Sequence, residues 1–85
     1  MTLKDVDFEI ASVRNNTATI KARFYIETME DYSDVTFHIK AIQYESNVLA
    51  DDDWLDVNVK KGKTLLVESN LTVPKDYNYL VKIEV

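Results

Sequence analysis

From Leu65 onward the chain alternates apolar and polar residues with a period of two. Tyr77, Tyr79, Val81, Ile83 and Val85 fall on one phase, and Asn78, Leu80, Lys82 and Glu84 on the other. Leu65, Val67, Ser69, Leu71 and Val73 share a phase in the preceding segment. A period of two places successive side chains on opposite faces of a pleated ribbon. The pattern therefore predicts two strands, Leu65–Val73 and Tyr77–Val85, hairpinned at Pro74-Lys75-Asp76. An isolated two-stranded ribbon is at best marginal in water, so its apolar face requires further strands over it.

The rest of the chain supplies them. Val6, Phe8, Ile10 and Val13 predict a first strand with a phase slip at Ala11-Ser12, the mark of a β-bulge. Asn15-Asn16 follows as a turn in which asparagine is expected to take positive φ. Ala18, Ile20, Ala22, Phe24 and Ile26 predict a second strand against Thr19, Lys21, Arg23 and Tyr25. After an acidic loop, Glu27 to Asp34, a third strand runs from Val35 to about Tyr44. Glu45-Ser46-Asn47 reads as a tight loop with Asn47 in the left-handed conformation. Val48–Ala50 reads as a short edge strand ended by Asp51-Asp52-Asp53, and Trp54–Val59 as a fifth strand before the Lys60-Lys61-Gly62 turn. No window carries a helical stripe as well as these carry period two, and β-branched and aromatic residues dominate. The expectation is a single all-β domain over residues 1–85, a seven-stranded antiparallel β-sandwich, cut from a larger protein.

Composition narrows function mainly by exclusion. Ten Lys and Arg against fifteen Asp and Glu give a net charge of −5, unlike the basic footprint that nucleic acid and anionic membranes select. A single glycine is too few for a phosphate-cradling loop. No cysteine is present, hence no disulfide and no thiolate site. No apolar run reaches membrane-span length, and no export leader is visible. Eighty-five residues bury only about 60–65% of their unfolded surface, so a modest stability is expected.

The segment Asn70-Leu71-Thr72-Val73-Pro74-Lys75-Asp76-Tyr77-Asn78-Tyr79, followed by Val81, Ile83 and Val85, is similar to the closing hairpin of immunoglobulin-like modules. It most resembles the fibronectin-III-like, adhesion-type sandwich of archaeal and bacterial surface proteins. The Glu45-Ser46-Asn47-Val48-Leu49 and Lys60-Lys61-Gly62-Lys63-Thr64 turns resemble the same pattern. The glycine usual before the final aromatic is replaced here by Asp76-Tyr77-Asn78. The resemblance implies a non-catalytic, extracellular or cell-surface module, a spacer or protein-interaction unit. Its expected partners are neighbouring modules of the same chain or another surface protein.

Individual residues add specific expectations. His38 is the only histidine and has no serine in a nucleophile motif beside it, so it reads as a solvated strand residue and the chain as no enzyme. Trp54 reads as a cap on one end of the core, with stacking on a sugar ring as the other option. Asn15 and Asn70 each open a glycosylation sequon. On the seven-strand topology, Asp31, Asp34, Asp51, Asp52 and Asp53 gather at one pole with Asp76 and the N-terminus. Arg14, Lys60, Lys61 and Lys63 gather at the other. Carboxylates so placed are hard oxygen donors suited to Ca²⁺, which makes a calcium, sugar or cationic-ligand module the alternative function. Opposite charges at the two poles would also favour head-to-tail stacking of modules. Partner binding by strand addition needs an open edge longer than Val48–Ala50.

Overall fold

Period-two patterning is realised throughout the computed structural model, which describes all 85 residues. Six strands form: β1 (Thr2–Val13), β2 (Thr17–Glu27), β3 (Tyr32–Gln43), β4 (Leu49–Val59), β5 (Thr64–Pro74) and β6 (Tyr79–Glu84). They make two three-stranded antiparallel sheets, ordered β1-β2-β5 and β4-β3-β6, which pack as a β-sandwich.

The core follows from register. Ala18, Ile20, Phe24 and Ile26 of β2 sit opposite Val73, Leu71, Val67 and Leu65 of β5, all on the inner face. On the other sheet Ile39 and Ala41 of β3 oppose Ile83 and Val81 of β6, and Phe37 opposes Leu55 of β4. Phe24 and Phe37, both fully buried, meet edge to face with ring centroids 5.3 Å apart and planes at 62°. That geometry sets the positive edge of one ring against the negative face of the other and knits the sheets at their centre.

Six strands form instead of the expected seven because Asp51-Asp52-Asp53 does not break the chain. The short edge strand and the Trp54 strand are one continuous β4, in which Asp51, Asp52 and Asp53 pair with Ala41, Lys40 and Ile39. The last two strands also form no hairpin, since β5 and β6 lie in different sheets and Lys75–Asn78 crosses between them. Tyr77 sits in that crossing and is exposed.

The change in strand count reverses everything after it. Lys60–Lys63 now shares a pole with the β2–β3 connection, where the Gly62 N–H donates to the Thr28 carbonyl at 3.2 Å and the Lys61 N–H to the Asp31 carboxylate at 2.7 Å. The loop holding Asp76 lies at the other pole, where the Lys75 N–H donates to the Asn16 carbonyl and the Tyr44 N–H to the Asn78 carbonyl. The separate acidic and basic poles expected from seven strands are therefore absent, and with them the head-to-tail charge match.

Local turn chemistry agrees with the sequence in part. Asn47 takes φ 59° and Gly62 φ 74°, the left-handed region each turn requires. Asp76 takes φ 72°, so an aspartate fills the conformation that the missing glycine would supply. The Asn15-Asn16 turn closes without positive φ, through the Arg14 N–H donating to the Thr17 carbonyl at 2.8 Å. β1 slips register between Ile10 and Ser12, as its phase predicts, and again between Lys4 and Asp7, where Asp5 takes φ 51°.

Candidate functional site

The sandwich is closed along one flank and open along the other. On the closed flank, β4 and β5 are the neighbouring edges of the two sheets. The inner-phase carboxylates of β4 reach across it. Asp53 Oδ2 accepts the Ser69 hydroxyl at 2.7 Å, and Asp51 Oδ2 accepts the Thr72 backbone N–H at 2.8 Å. Ser69 is the one polar residue on the buried face of β5, and its hydroxyl is satisfied there.

The open flank lies between β1 and β6, which scarcely touch. Register fixes the phase of β1: Phe8, Ile10 and Val13 oppose the inward-facing Ala22, Ile20 and Ala18. They point toward the core side, yet Ile10 remains 67% and Val13 61% exposed because no strand of the second sheet lies over them. The result is a pair of adjoining grooves of about 240 and 350 Å³. Phe8, Ile10, Ile20, Tyr79 and Val81 line them, with Tyr77 at the lip. Both rims are unpaired strand edges, since β1 pairs only with β2 and β6 only with β3.

The outer face of β4-β3-β6 carries a polar row. The Trp54 indole stacks on the His38 imidazole at 3.7 Å with planes 10° apart. His38 Nε2 lies 2.7 Å from Asp52 Oδ2, the Thr36 hydroxyl donates to Asp56 at 2.6 Å, and Lys40 pairs with Glu84 at 2.7 Å. Trp54 is 63% exposed and belongs to this outer face, so it does not cap the core. The ammonium of Lys40 draws the Glu84 carboxyl below its usual 4.5, and Lys4 does the same to Glu27 at the β1–β2 rim.

The five aspartates singled out for calcium do not converge. Asp31 caps the Lys61 N–H, and Asp34 sits in a β3 bulge at φ 56°. Asp51 and Asp53 face the closed flank and Asp52 the opposite face of the same strand. Nowhere do three or more His, Cys, Asp or Glu side chains assemble into a coordination sphere. The sequons at Asn15 and Asn70 are both solvent-exposed, in the first turn and on the outer face of β5. What the sequence does not reveal is the open flank, since the alternation of Val6, Phe8 and Ile10 looks like that of any covered strand.

A comparable arrangement of strands occurs in a β-glucuronidase from glycoside hydrolase family 2. It superposes over 93% of this chain with a TM-score of 0.68 at 11% sequence identity, and the chain spans 9% of that structure's length. At that identity the likeness concerns the fold alone. No curated protein matches the sequence. A family model matches residues 1–85 from end to end, and the chain belongs to that family, described as a domain of unknown function, DUF7490.

Proposed function

We propose that the chain is a non-catalytic structural and adhesive module of a secreted or cell-surface protein, holding a neighbouring module or another surface protein against its open flank. The observation that carries this reading is the exposure of Phe8, Ile10 and Val13 on the inner phase of β1. Apolar side chains aimed at a core but left uncovered, beside two unpaired backbone edges, mark a contact surface. The module conducts no bond chemistry of its own and acts through shape. Its sandwich is of the immunoglobulin or fibronectin-III type in this reading. Support comes from the corner between β5 and β6, where the Tyr79 hydroxyl donates to the Pro74 carbonyl, as tyrosine corners do in such domains.

Amide hydrogen exchange compares the isolated chain with the full-length polypeptide that carries it. The expected result is that amides on the open edges of β1 and β6 exchange quickly in isolation and that those of at least one edge become protected in the longer protein or its complex. Equal exchange in both states would remove the open flank as the contact surface.

A further inference from the structure

Resting on that reading of the open flank, we propose that its occupant is an extended strand of a separate protein. That strand inserts between β1 and β6, pairs its backbone with the free edge of β6, and fills the grooves with every second side chain. Three observations define this partner. The first is backbone supply. β6 covers only His38–Gln43 of β3, and its far edge has no partner along Tyr79–Glu84. Such an edge offers a row of N–H and C=O groups that another backbone in extended form satisfies.

The second is phase. The inward residues of β6, Tyr79, Val81 and Ile83, are only half-buried and present the groove wall. A paired strand places alternate side chains at the same depth, against Phe8 and Ile10 of β1 across the groove. The partner segment therefore alternates apolar residues with polar ones, and a segment with its apolar residues in adjacent pairs presents half of them to solvent. The third is charge. β1 carries Asp5, Asp7 and Glu9, of which Asp7 pairs with Arg23 and Glu9 stands opposite Lys21, and the chain as a whole keeps a net charge of −5. Lysine or arginine at the outward positions of the partner complements this net charge and speeds encounter at low salt.

The two bulges of β1 sharpen the choice of edge. They interrupt its ladder at Lys4/Asp7 and at Ile10/Ser12, splitting it into the short runs Thr2–Lys4, Asp7–Ile10 and Ser12–Val13. Bulges twist an edge away from further pairing. β6 carries no such irregularity, so the hydrogen-bonded edge is β6 and β1 supplies side chains.

The test adds a short synthetic peptide in which valine alternates with lysine and threonine, and, separately, the same residues reordered so that valines fall in adjacent pairs. Melting midpoint and amide exchange of the 85-residue chain are read with each peptide. The alternating peptide is expected to raise the midpoint by several degrees at about tenfold excess over its Kd. It is also expected to slow exchange of the β6 amides not bonded to β3. The paired-valine peptide should do neither. The Ile10→Lys variant, at a position already exposed, should melt like the parent alone and lose the response to the alternating peptide. Equal effects of both peptides would overturn strand insertion while leaving the flank a general apolar contact surface. No effect of either would overturn it as well, and concentration-dependent dimerisation of the chain alone would replace the separate partner by a second copy.

Discussion

The Asp53 carboxylate and the Ser69 hydroxyl meet at 2.7 Å across the gap between the two sheets. Ser69 is buried on β5 while Asp53 sits on β4, so this bond, with Asp51 on the Thr72 N–H, closes the flank that apolar packing leaves to polar residues. Hydrogen bonds to a charged acceptor are the stronger kind, and a buried hydroxyl without a partner is costly. Asp53→Ala is expected to lower the unfolding free energy by roughly 1–2 kcal/mol and Ser69→Ala by a similar amount. In a double-mutant cycle by urea denaturation, the pair should lose clearly less than the two single losses combined. Additive losses would show that the contact contributes nothing of its own.

Tyr79 binds the backbone at the corner where β5 leaves one sheet and β6 enters the other. Burial raises its hydroxyl pKa above the usual 10.0, more than its contact with Gln43 lowers it. A group whose folded pKa is raised keeps its contribution below the unfolded value and loses it as pH climbs through the folded one. Stability is thus expected to fall on the alkaline side above about pH 10. Tyr79→Phe should lower stability by about 1 kcal/mol at neutral pH and flatten that alkaline limb. A Phe variant with the parent's full alkaline loss would assign the limb to other groups.

At the acid end, Glu27 and Glu84 carry carboxyls held below 4.5, chiefly by hydrogen bonds from Lys4 and Lys40. A depressed folded pKa gives stability that is present above the unfolded value and disappears as pH drops through the folded one. Melting midpoints should therefore decline as pH falls below about 4.5, and the double variant Glu27→Gln, Glu84→Gln should decline less. Both pairs reach solvent, so the difference should shrink in ~1 M salt, where the screening length is about 3 Å.

Asn47 and Asp76 hold the left-handed conformation without being glycine. For a residue with a Cβ that conformation costs about 1 kcal/mol, partly recovered by a short polar side chain. Glycine at Asp76 removes that strain but loosens the unfolded chain, so Asp76→Gly should fall within about 0.5 kcal/mol of the parent. Gly62→Ala tests the same physics in reverse. No atom lies within 4 Å of the added Cβ, so any loss, expected near 1 kcal/mol, is backbone strain alone. A Gly62→Ala variant as stable as the parent would contradict this account of the turn.

Much of the sandwich was legible in the sequence, and the residues show where legibility ended. Ala18, Ile20, Ala22, Phe24 and Ile26 read as a covered strand face, and all five are buried. Leu80 shares the polar phase of the last segment with Asn78, Lys82 and Glu84, and it is exposed. The aspartate run reads as a break because strand propensity disfavours aspartate unless its carboxylate finds donors. Those donors, Ser69 and the Thr72 N–H, lie on a strand that sequence distance hides. One misplaced break then misplaced every later loop, and with them the supposed calcium pole. The open flank was illegible for another reason: alternation reports which way a side chain points and says nothing about whether anything lies above it.

β4 holds four aspartates among its eleven residues and no cation. Two molecules approaching side by side along that strand would bring like charges together before any backbone could pair, and at low ionic strength they would turn away. On the opposite side Arg23 and Lys21 stand beside Asp7 and Glu9, so the barrier near Ile10 and Val13 is lower. Crowded solutions of this domain should therefore be colloidally lopsided, tolerant of contact along one margin and repelled along the other.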